Sequence, residues 1–394
     1  MRNKIGVLCT YAFPEGMAPT IRILSYGQGL VNNGCQVEVV IFQPKVQDDS
    51  YPLSGLVNGV KYSYAHKRDK SRPTWYKLFV DRPKSLFNAI KILRKSNSEK
   101  RFDCILLSFD HPLFLLFFVP ILKILGFKLG FIGDEFPEPI RKLKSSIPYY
   151  YKVAYKIVYR FISFRILMTE ALRDYYNTEV CKKPTHILCS ILNTDRFKSI
   201  TRRHVNHKYL CYMGNMQLAK DNVDNIIKAF SFVCNDFPDI DLYLYGTPSD
   251  NDKSLIIKLI SDLGLTNRIF LKGRVDYNLV PQILANAEIL LTSQPITKRA
   301  AGGFPTKLAE YMMSKTPSIV TNVGEIANYV SNGVNIYMVE PCDACAYASK
   351  IKYILDNPKE AQVVAENAYR YALANFSSTK ITLSLLDFLK GQCN

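Results

Sequence analysis

Short apolar runs alternate along this chain with longer stretches in which apolar side chains return every three or four positions. Lys4–Thr10 is almost continuously apolar, the pattern of a strand buried on both faces of a parallel sheet. A loop with Pro14 and Gly16 follows, then a stretch at helical spacing, Thr20–Gly34, which meets a stop at Gly34, then a second strand-like run, Gln36–Phe42. This order predicts a βαβ unit whose first loop opens at the carboxyl edge of the sheet, where ligands of such sheets bind. Asp103–Ser108, Lys128–Ile132, Arg165–Met168 and His186–Cys189 read as further strands, with helices between them and Thr169 capping one. Residues 193–207 mix polar types without periodicity and mark a boundary. From Lys208 the alternation restarts: strand Tyr209–Gly214, loop 215–222, helix 223–233, strand Ile240–Gly246, a helix near Lys253–Gly264, strand Ile269–Gly273, helix Leu279–Ala287 and strand Glu288–Ser293. The last periodic stretch, Pro358–Leu389, is helical.

The expected fold is therefore α/β, with a right-handed parallel sheet in each half. At 394 residues and 48% hydrophobic, the chain can bury two ordinary cores. The expected domains are 1–200 and 201–394.

Charge separates the halves. Residues 1–200 carry 31 Lys/Arg against 16 Asp/Glu, whereas 201–394 carry 20 against 18. The excess points to an anionic partner of the first half: nucleic acid, a phosphate-rich membrane surface or an acidic substrate. The densest segment, Lys61–Arg101, has thirteen Lys/Arg against three Asp/Glu, with Trp75, Tyr76, Phe79 and Phe87 interleaved. Within it a helix over Pro83–Ser96 places Leu86, Ile90, Ile92 and Leu93 on one apolar face beside lysines and arginines. That pattern fits an interfacial membrane helix, and it also fits a domain helix with a solvated basic face. No nucleic-acid motif accompanies the charge, so no nucleic-acid partner is expected.

Ten cysteines and an N-terminus that runs directly into a strand, without a secretory signal, predict a reducing, cytoplasmic setting. Cys342 and Cys345 form one CxxC without a second pair, so the thiols read as packing and no metal is expected. The most apolar run, Pro112–Leu122, is too short for the ~20 residues of a membrane span and reads as a buried helix.

The candidate chemistry gathers in Thr297–Thr321, TKRAAGGFPTKLAEYMMSKTPSIVT, read as a glycine-bearing loop, a helix and a strand. Gly302 and Gly303 would take positive φ and let backbone amides approach a ligand, with a helix starting near Thr306. Helix N-terminal amides, the Thr306 hydroxyl and the Lys307 ammonium together suit a phosphate. Glu310, on the same face, is a carboxylate able to accept two hydrogen bonds from a vicinal diol such as ribose. The same elements occur without any ligand in doubly wound proteins. Lys220, six residues beyond Gly214 in the loop 215–222, is a second cation for a diphosphate. Asp134 and Glu135 end a strand and either project into the cleft or cap the next helix. Arg22 faces that cleft or solvent, and His111 is a further candidate.

The segment GGFPTKLAEYMMSKTPSIVTNVGEI resembles the donor-binding segment of family 4 glycosyltransferases, retaining enzymes of the GT-B architecture. The resemblance implies two Rossmann-like domains facing a central cleft, with the last helix crossing back to the first domain. It also implies ribose contact by Glu310, a glycine near the donor diphosphate at Gly16, and a nucleobase seat around Gly273–Val275 that includes Arg274. Asp134 in FIGDEFPEP corresponds loosely to a strand-end acidic segment lining the donor and acceptor sugars. Two departures stand out: Gly302 replaces the first of the paired glutamates, and Asn215 replaces an arginine after Gly214.

The resulting expectation is a glycosyltransferase with a nucleotide-diphosphate sugar as donor and a glycan or lipid-linked acceptor, in surface polysaccharide or glycoconjugate synthesis. Catalysis would rest on Lys220, Lys307 and Asp134, and the donor on Gly16, Gly214, Arg274, Gly303, Thr306, Lys307 and Glu310, without cofactor or metal. The protein would be cytoplasmic, with the basic half able to rest peripherally on an anionic membrane. Two other readings stay open, a nucleotide-sugar 2-epimerase of the same architecture and a non-enzymatic polyanion- or membrane-binding protein.

Overall fold

The computed structural model describes residues 4–16, 18–42, 52–67, 73–141 and 148–393. The chain divides into two units, Met1–Asn193 with Ser378–Asn394, and Thr194–Ser377. The boundary at 193/194, rather than 200/201, puts residues 194–200 in the second unit.

Among the described residues, the first unit has eight strands: β1 (Lys4–Cys9), β2 (Gln36–Ile41), β3 (Ser54–Val57), β4 (Val60–Tyr64), β5 (Cys104–Ser108), β6 (Leu129–Gly133), β7 (Phe164–Leu167) and β8 (Thr185–Ile187). Their order is β3-β4-β2-β1-β5-β6-β7-β8, parallel except for the β3–β4 hairpin. The hairpin was not expected, because Ser54–Val57 is only four residues long and none of them is buried, so it shows no apolar stripe. Every residue of β1, β5 and β6 is buried, which is why these runs are apolar without alternation. The connecting helices are α1 (Ala18–Asn32), α2 (Arg82–Glu99), α3 (Pro112–Ile124), α4 (Tyr149–Val158) and α5 (Glu170–Glu179). α1 stops where Gly34 takes φ +85°. Thr169 caps α5 by accepting from Leu172 N at 3.2 Å.

Two helices depart from expectation. On α2, Ile90 and Leu93 are buried in the unit and Leu86 and Ile92 are half-buried, so the proposed membrane face packs inward while Lys84, Lys91, Arg94 and Lys95 lie outside. α3 is not a buried helix: Leu113 is 66% and Ile124 85% exposed. Cys342 and Cys345 are likewise exposed rather than packed.

The second unit has strands β9 (Lys208–Met213), β10 (Ile240–Tyr245), β11 (Ile269–Gly273), β12 (Ile289–Leu291), β13 (Ser318–Thr321) and β14 (Tyr337–Val339), in the order β11-β10-β9-β12-β13-β14, all parallel. Its helices include α6 (Leu218–Asp221), α7 (Val223–Ser231), α8 (Lys298–Gly302), α9 (Lys307–Met313) and α10 (Pro358–Asn375). The last helix, α11 (Ser378–Cys393), belongs to the first unit, where Leu385, Leu386 and Leu389 join the core behind β1 and β2. It lies against α1 so closely that a Cβ on Gly29 would come within 2.3 Å of Ser378 O.

In each sheet the strand order reverses beside the first strand: β1 sits between β2 and β5, and β9 between β10 and β12. The crevices that ligands of doubly wound sheets use therefore open at the carboxyl ends of β1 and β9.

Candidate active site

In the second unit the carboxyl edge is closed by glycines. Gly214 N donates to Tyr245 O at 3.0 Å and Gly246 N to Gly273 O at 2.8 Å, so the ends of β9, β10 and β11 are laced together. Gly246 has φ +127°, and a Cβ there would lie 1.7 Å from Gly214 O, so only glycine fits. A Cβ on Gly214 would meet Lys307 Nζ and the Tyr212 hydroxyl, each at 2.5 Å.

Lys307 is thereby placed directly over the end of β9. Its ammonium donates to Tyr212 OH at 3.2 Å and to Asp221 Oδ1 at 3.4 Å, and lies 4.3 Å from the Tyr212 ring centre. Asp221 is buried, and its other oxygen accepts from Gln217 N at 3.2 Å, which fixes it across the turn of α6. Burial lowers the Lys307 pKa from its ordinary 10.5; Asp221 opposes this, and the like charge of Lys220 adds to it. Lys220, expected in a loop, lies on the single turn of α6. The two predicted phosphate lysines thus share one electrostatic neighbourhood.

α9 begins at Lys307, with Thr306 at the N-cap and exposed. The helix is only seven residues long, so attraction for an anion falls mainly on the lysine side chains. It is seated by Tyr311, whose hydroxyl accepts from Met213 N at 3.0 Å and donates to Leu291 O at 3.3 Å, tying the helix to β9 and β12. The expected glycine loop differs from prediction. Lys298–Gly302 is a short helix capped by Thr297, neither Gly302 nor Gly303 takes positive φ, and Gly303 is extended at φ −115°. Two alanines after Lys298 and Arg299 favour a helical turn over a loop.

Glu310 is not free to grip a diol with both oxygens. Its Oε1 accepts from Arg196 Nη1 at 2.7 Å, with side-chain exposures of 11% for Arg196 and 18% for Glu310. Arg196 also donates to Tyr277 O, and its guanidinium carbon lies 3.3 Å from the centre of the Tyr277 ring. Arg196 was missed because it falls in 193–207, read as linker; no sequence pattern ties it to a residue 114 positions away. Arg274 is exposed just beyond β11, after Gly273 at φ +71°.

In the first unit, Asp134 neither caps a helix nor stands free. Its Oδ1 lies 2.8 Å from Arg22 Nε. Arg22 is buried, not solvent-facing, and donates to Leu188 O, Cys189 O and Tyr26 OH. Burial raises the Asp134 pKa, Arg22 opposes it, and Glu135 adds to it. Gly16 closes the β1 loop without positive φ; a Cβ there would come within 2.3 Å of Thr20 Oγ1, which donates to Ala12 O at 2.6 Å. His111 is exposed at the start of α3, 5.2 Å from the Phe114 ring. Among the described residues, no three or more His, Cys, Asp or Glu gather as metal ligands, and no helix is long and apolar enough to cross a membrane.

Two parallel-sheet units with crevices at the ends of β1 and β9 define the GT-B glycosyltransferase fold. The family model described as "Glycosyl transferases group 1" matches residues 193–371, the region that carries Arg196, Lys220, Lys307 and Glu310. By that match this region is similar to glycosyl transferases. Sucrose-phosphate synthase from Thermosynechococcus elongatus superposes with a TM-score of 0.75 at 14% identity, covering 99% of this chain and 98% of that one. Anabaena HepE in complex with UDP-glucose gives a TM-score of 0.71 at 14% identity, covering 98% and 99%. Poly(glycerol-phosphate) alpha-glucosyltransferase of Bacillus subtilis (strain 168) is 24% identical over 168 residues, or 42% of this chain. The match spans about a quarter (24%) of that relative's length.

Proposed function

We propose that the chain is a glycosyltransferase that moves a sugar, with retention as in family 4, from a nucleotide-diphosphate sugar to a glycan or lipid-linked acceptor. The observation that carries this reading is the Lys307 ammonium, fixed by Asp221 and Tyr212 over the end of β9 with Lys220 nearby. Lys307 held there, with the charge of Lys220 close enough to bear on it, supplies positive charge where a diphosphate leaving group gains negative charge, which lowers the barrier without a metal. Gly214, Gly303 and Thr306 give the diphosphate backbone and hydroxyl approach, Glu310 offers Oε2 to the ribose, and Arg274 borders the nucleobase seat. Asp134 and Gly16 serve the first unit's side of the reaction. In Asp134 the carboxylate is oriented by Arg22 and takes an acceptor or donor hydroxyl. The UDP-glucose complex of HepE supports a uridine nucleotide sugar as the first donor to try. The poly(glycerol-phosphate) acceptor named for the Bacillus relative agrees with an anionic acceptor for the basic half. A cytoplasmic setting and a role in surface polysaccharide or glycoconjugate synthesis belong to the same proposal.

Titration calorimetry with UDP and GDP, followed by donor turnover, tests it. Lys307→Ala and Lys220→Ala should each lower kcat by roughly 10²-fold, as loss of one preorganised donor does. Absence of nucleotide binding, or full activity in both variants, would sink it.

A further inference from the structure

Sequence pattern left α2 open between a membrane-facing element and a domain helix with a solvated basic face, and its apolar side is packed into the unit. The exposed apolar surface of the first unit lies elsewhere. On α3 the outward positions Leu113, Leu116 and Ile124 are 66%, 41% and 85% exposed, with Pro120 also exposed between them. These follow at helical spacing, so the outward side of α3 is apolar although its inward side, with Leu115, Phe118 and Leu122, already fills the core. A soluble helix ordinarily turns polar residues outward, and one apolar all round is normally covered. α4 packs beside α3 and repeats the pattern, exposing Tyr149 (82%), Tyr150 (64%) and Ile157 (50%).

Ring contacts join His111 to Phe114 at 5.2 Å and to Tyr151 at 6.4 Å across the two helices. Phe87 of α2, itself 56% exposed, meets Phe117 at 5.4 Å. Exposed cations accompany these residues: Lys123 on α3, Lys152 and Lys156 on α4, and Arg160 just after it. α4 therefore alternates apolar and basic outward positions and carries no exposed carboxylate.

We propose that the outer face of α3 and α4 docks on an anionic lipid bilayer, lying in its interfacial layer. Charge complementarity selects this occupant. Apolar tips at the acyl boundary, tyrosines at headgroup depth and lysines reaching to lipid phosphates are what such a layer accepts. α3, at 13 residues, is too short to span a bilayer and instead lies along it. The inference deepens the lipid-linked acceptor reading by naming the surface that meets the lipid, and its own test does not require turnover.

The experiment is co-sedimentation of the full chain with vesicles of phosphatidylcholine alone or mixed with phosphatidylglycerol, at low and high salt. Binding is expected on the anionic vesicles at low salt and not on neutral ones. L113Q/L116Q/I124Q changes only exposed positions and should weaken binding at least tenfold. K152Q/K156Q/R160Q should weaken it roughly 100-fold. Substituting Lys84, Lys91, Arg94 and Lys95 of α2 by Gln should cost less than either. Circular dichroism and UDP calorimetry on each variant confirm an intact fold and donor site. Failure of the wild type to bind anionic vesicles overturns the proposal, as does wild-type binding by L113Q/L116Q/I124Q. So does ultracentrifugation showing a dimer that this variant dissociates, since a second copy would then cover the face. Vesicle binding without UDP binding would remove the proposed function and leave this inference standing.

Discussion

The Arg196–Glu310 pair offers the sharpest test of how the site is held. At 2.7 Å and an effective dielectric of roughly 20, the gross attraction is about 6 kcal/mol, most of it offset by taking both charges out of water. Neither side chain is fully buried, at 11% and 18% exposure, so the net coupling should be about 1–3 kcal/mol. Arg196→Ala also forfeits the guanidinium's contact with Tyr277 and leaves Glu310 without its counter-charge. It should destabilise the second unit by about 2–3 kcal/mol, which for a unit of this size lowers Tm by roughly 4–12 °C. Glu310→Gln keeps the shape and should cost less stability, but weaken UDP binding by about 1–3 kcal/mol through loss of a charge-assisted bond to ribose. The assay is a double-mutant cycle, with thermal unfolding and UDP calorimetry measured on wild type, both single variants and the double. If the coupling in stability falls below about 0.5 kcal/mol, the pair does not hold Glu310. If 2′-deoxyuridine diphosphate loses equal affinity in wild type and Glu310→Gln, the carboxylate does not read the ribose.

Four further outcomes follow from the geometry. Lys307 acts as an ammonium and is held below 10.5 chiefly by burial, so kcat/KM should fall with rising pH below that value. Lys220→Ala, by removing a like charge, should move this limb up, and a limb that stays put refutes the shared neighbourhood. Gly246→Ala should destabilise by about 2 kcal/mol or more, because both the positive φ and the Gly214 carbonyl oppose a methyl group. Gly214→Ala meets side-chain atoms of Lys307 and buried Tyr212 rather than backbone, so it should cost less stability than Gly246→Ala yet lose about tenfold in kcat by pushing Lys307 aside, and equal stability losses in the two would contradict this. Asp134→Ala strips the counter-ion from buried Arg22 and should lower stability by about 3 kcal/mol in denaturant titration; a loss under about 1 kcal/mol would mean that the pair is not structural.

The alternation of strands and helices was legible because buried parallel strands such as β1, β5 and β6 are almost wholly apolar, a signal needing no tertiary knowledge. Lys307 and Glu310 were legible as one helical face because their spacing is local. The partners that orient them were not: Asp221 and Arg196 reach Lys307 and Glu310 only through the folded sheet. For the same reason Arg22 passed as cleft-lining or solvent-exposed, since its carboxylate lies at Asp134 on another strand's end. Periodicity found the apolar stripe of α2 but could not say whether the unit or a membrane covers it. On α3 the excess of apolar residues disguised an outward face as a buried one. Elements as short as β3 and α8, four and five residues, lacked any stripe to betray them.

The return of α11 to the first unit has a consequence for how the protein is made. Ser378 N bonds to Leu192 O at 2.8 Å, Asn33 Nδ2 reaches Thr379 O at 2.8 Å, and Phe388 packs on Phe164 at 5.7 Å. On the ribosome, the whole of Thr194–Ser377 emerges before any of these contacts can form. The second unit is contiguous and can close as soon as it clears the exit tunnel, while the first waits, with the groove beside α1 unfilled, for the final helix. The half synthesised first is thus completed last, and until α11 arrives its core is the part of the nascent chain most in need of chaperone cover.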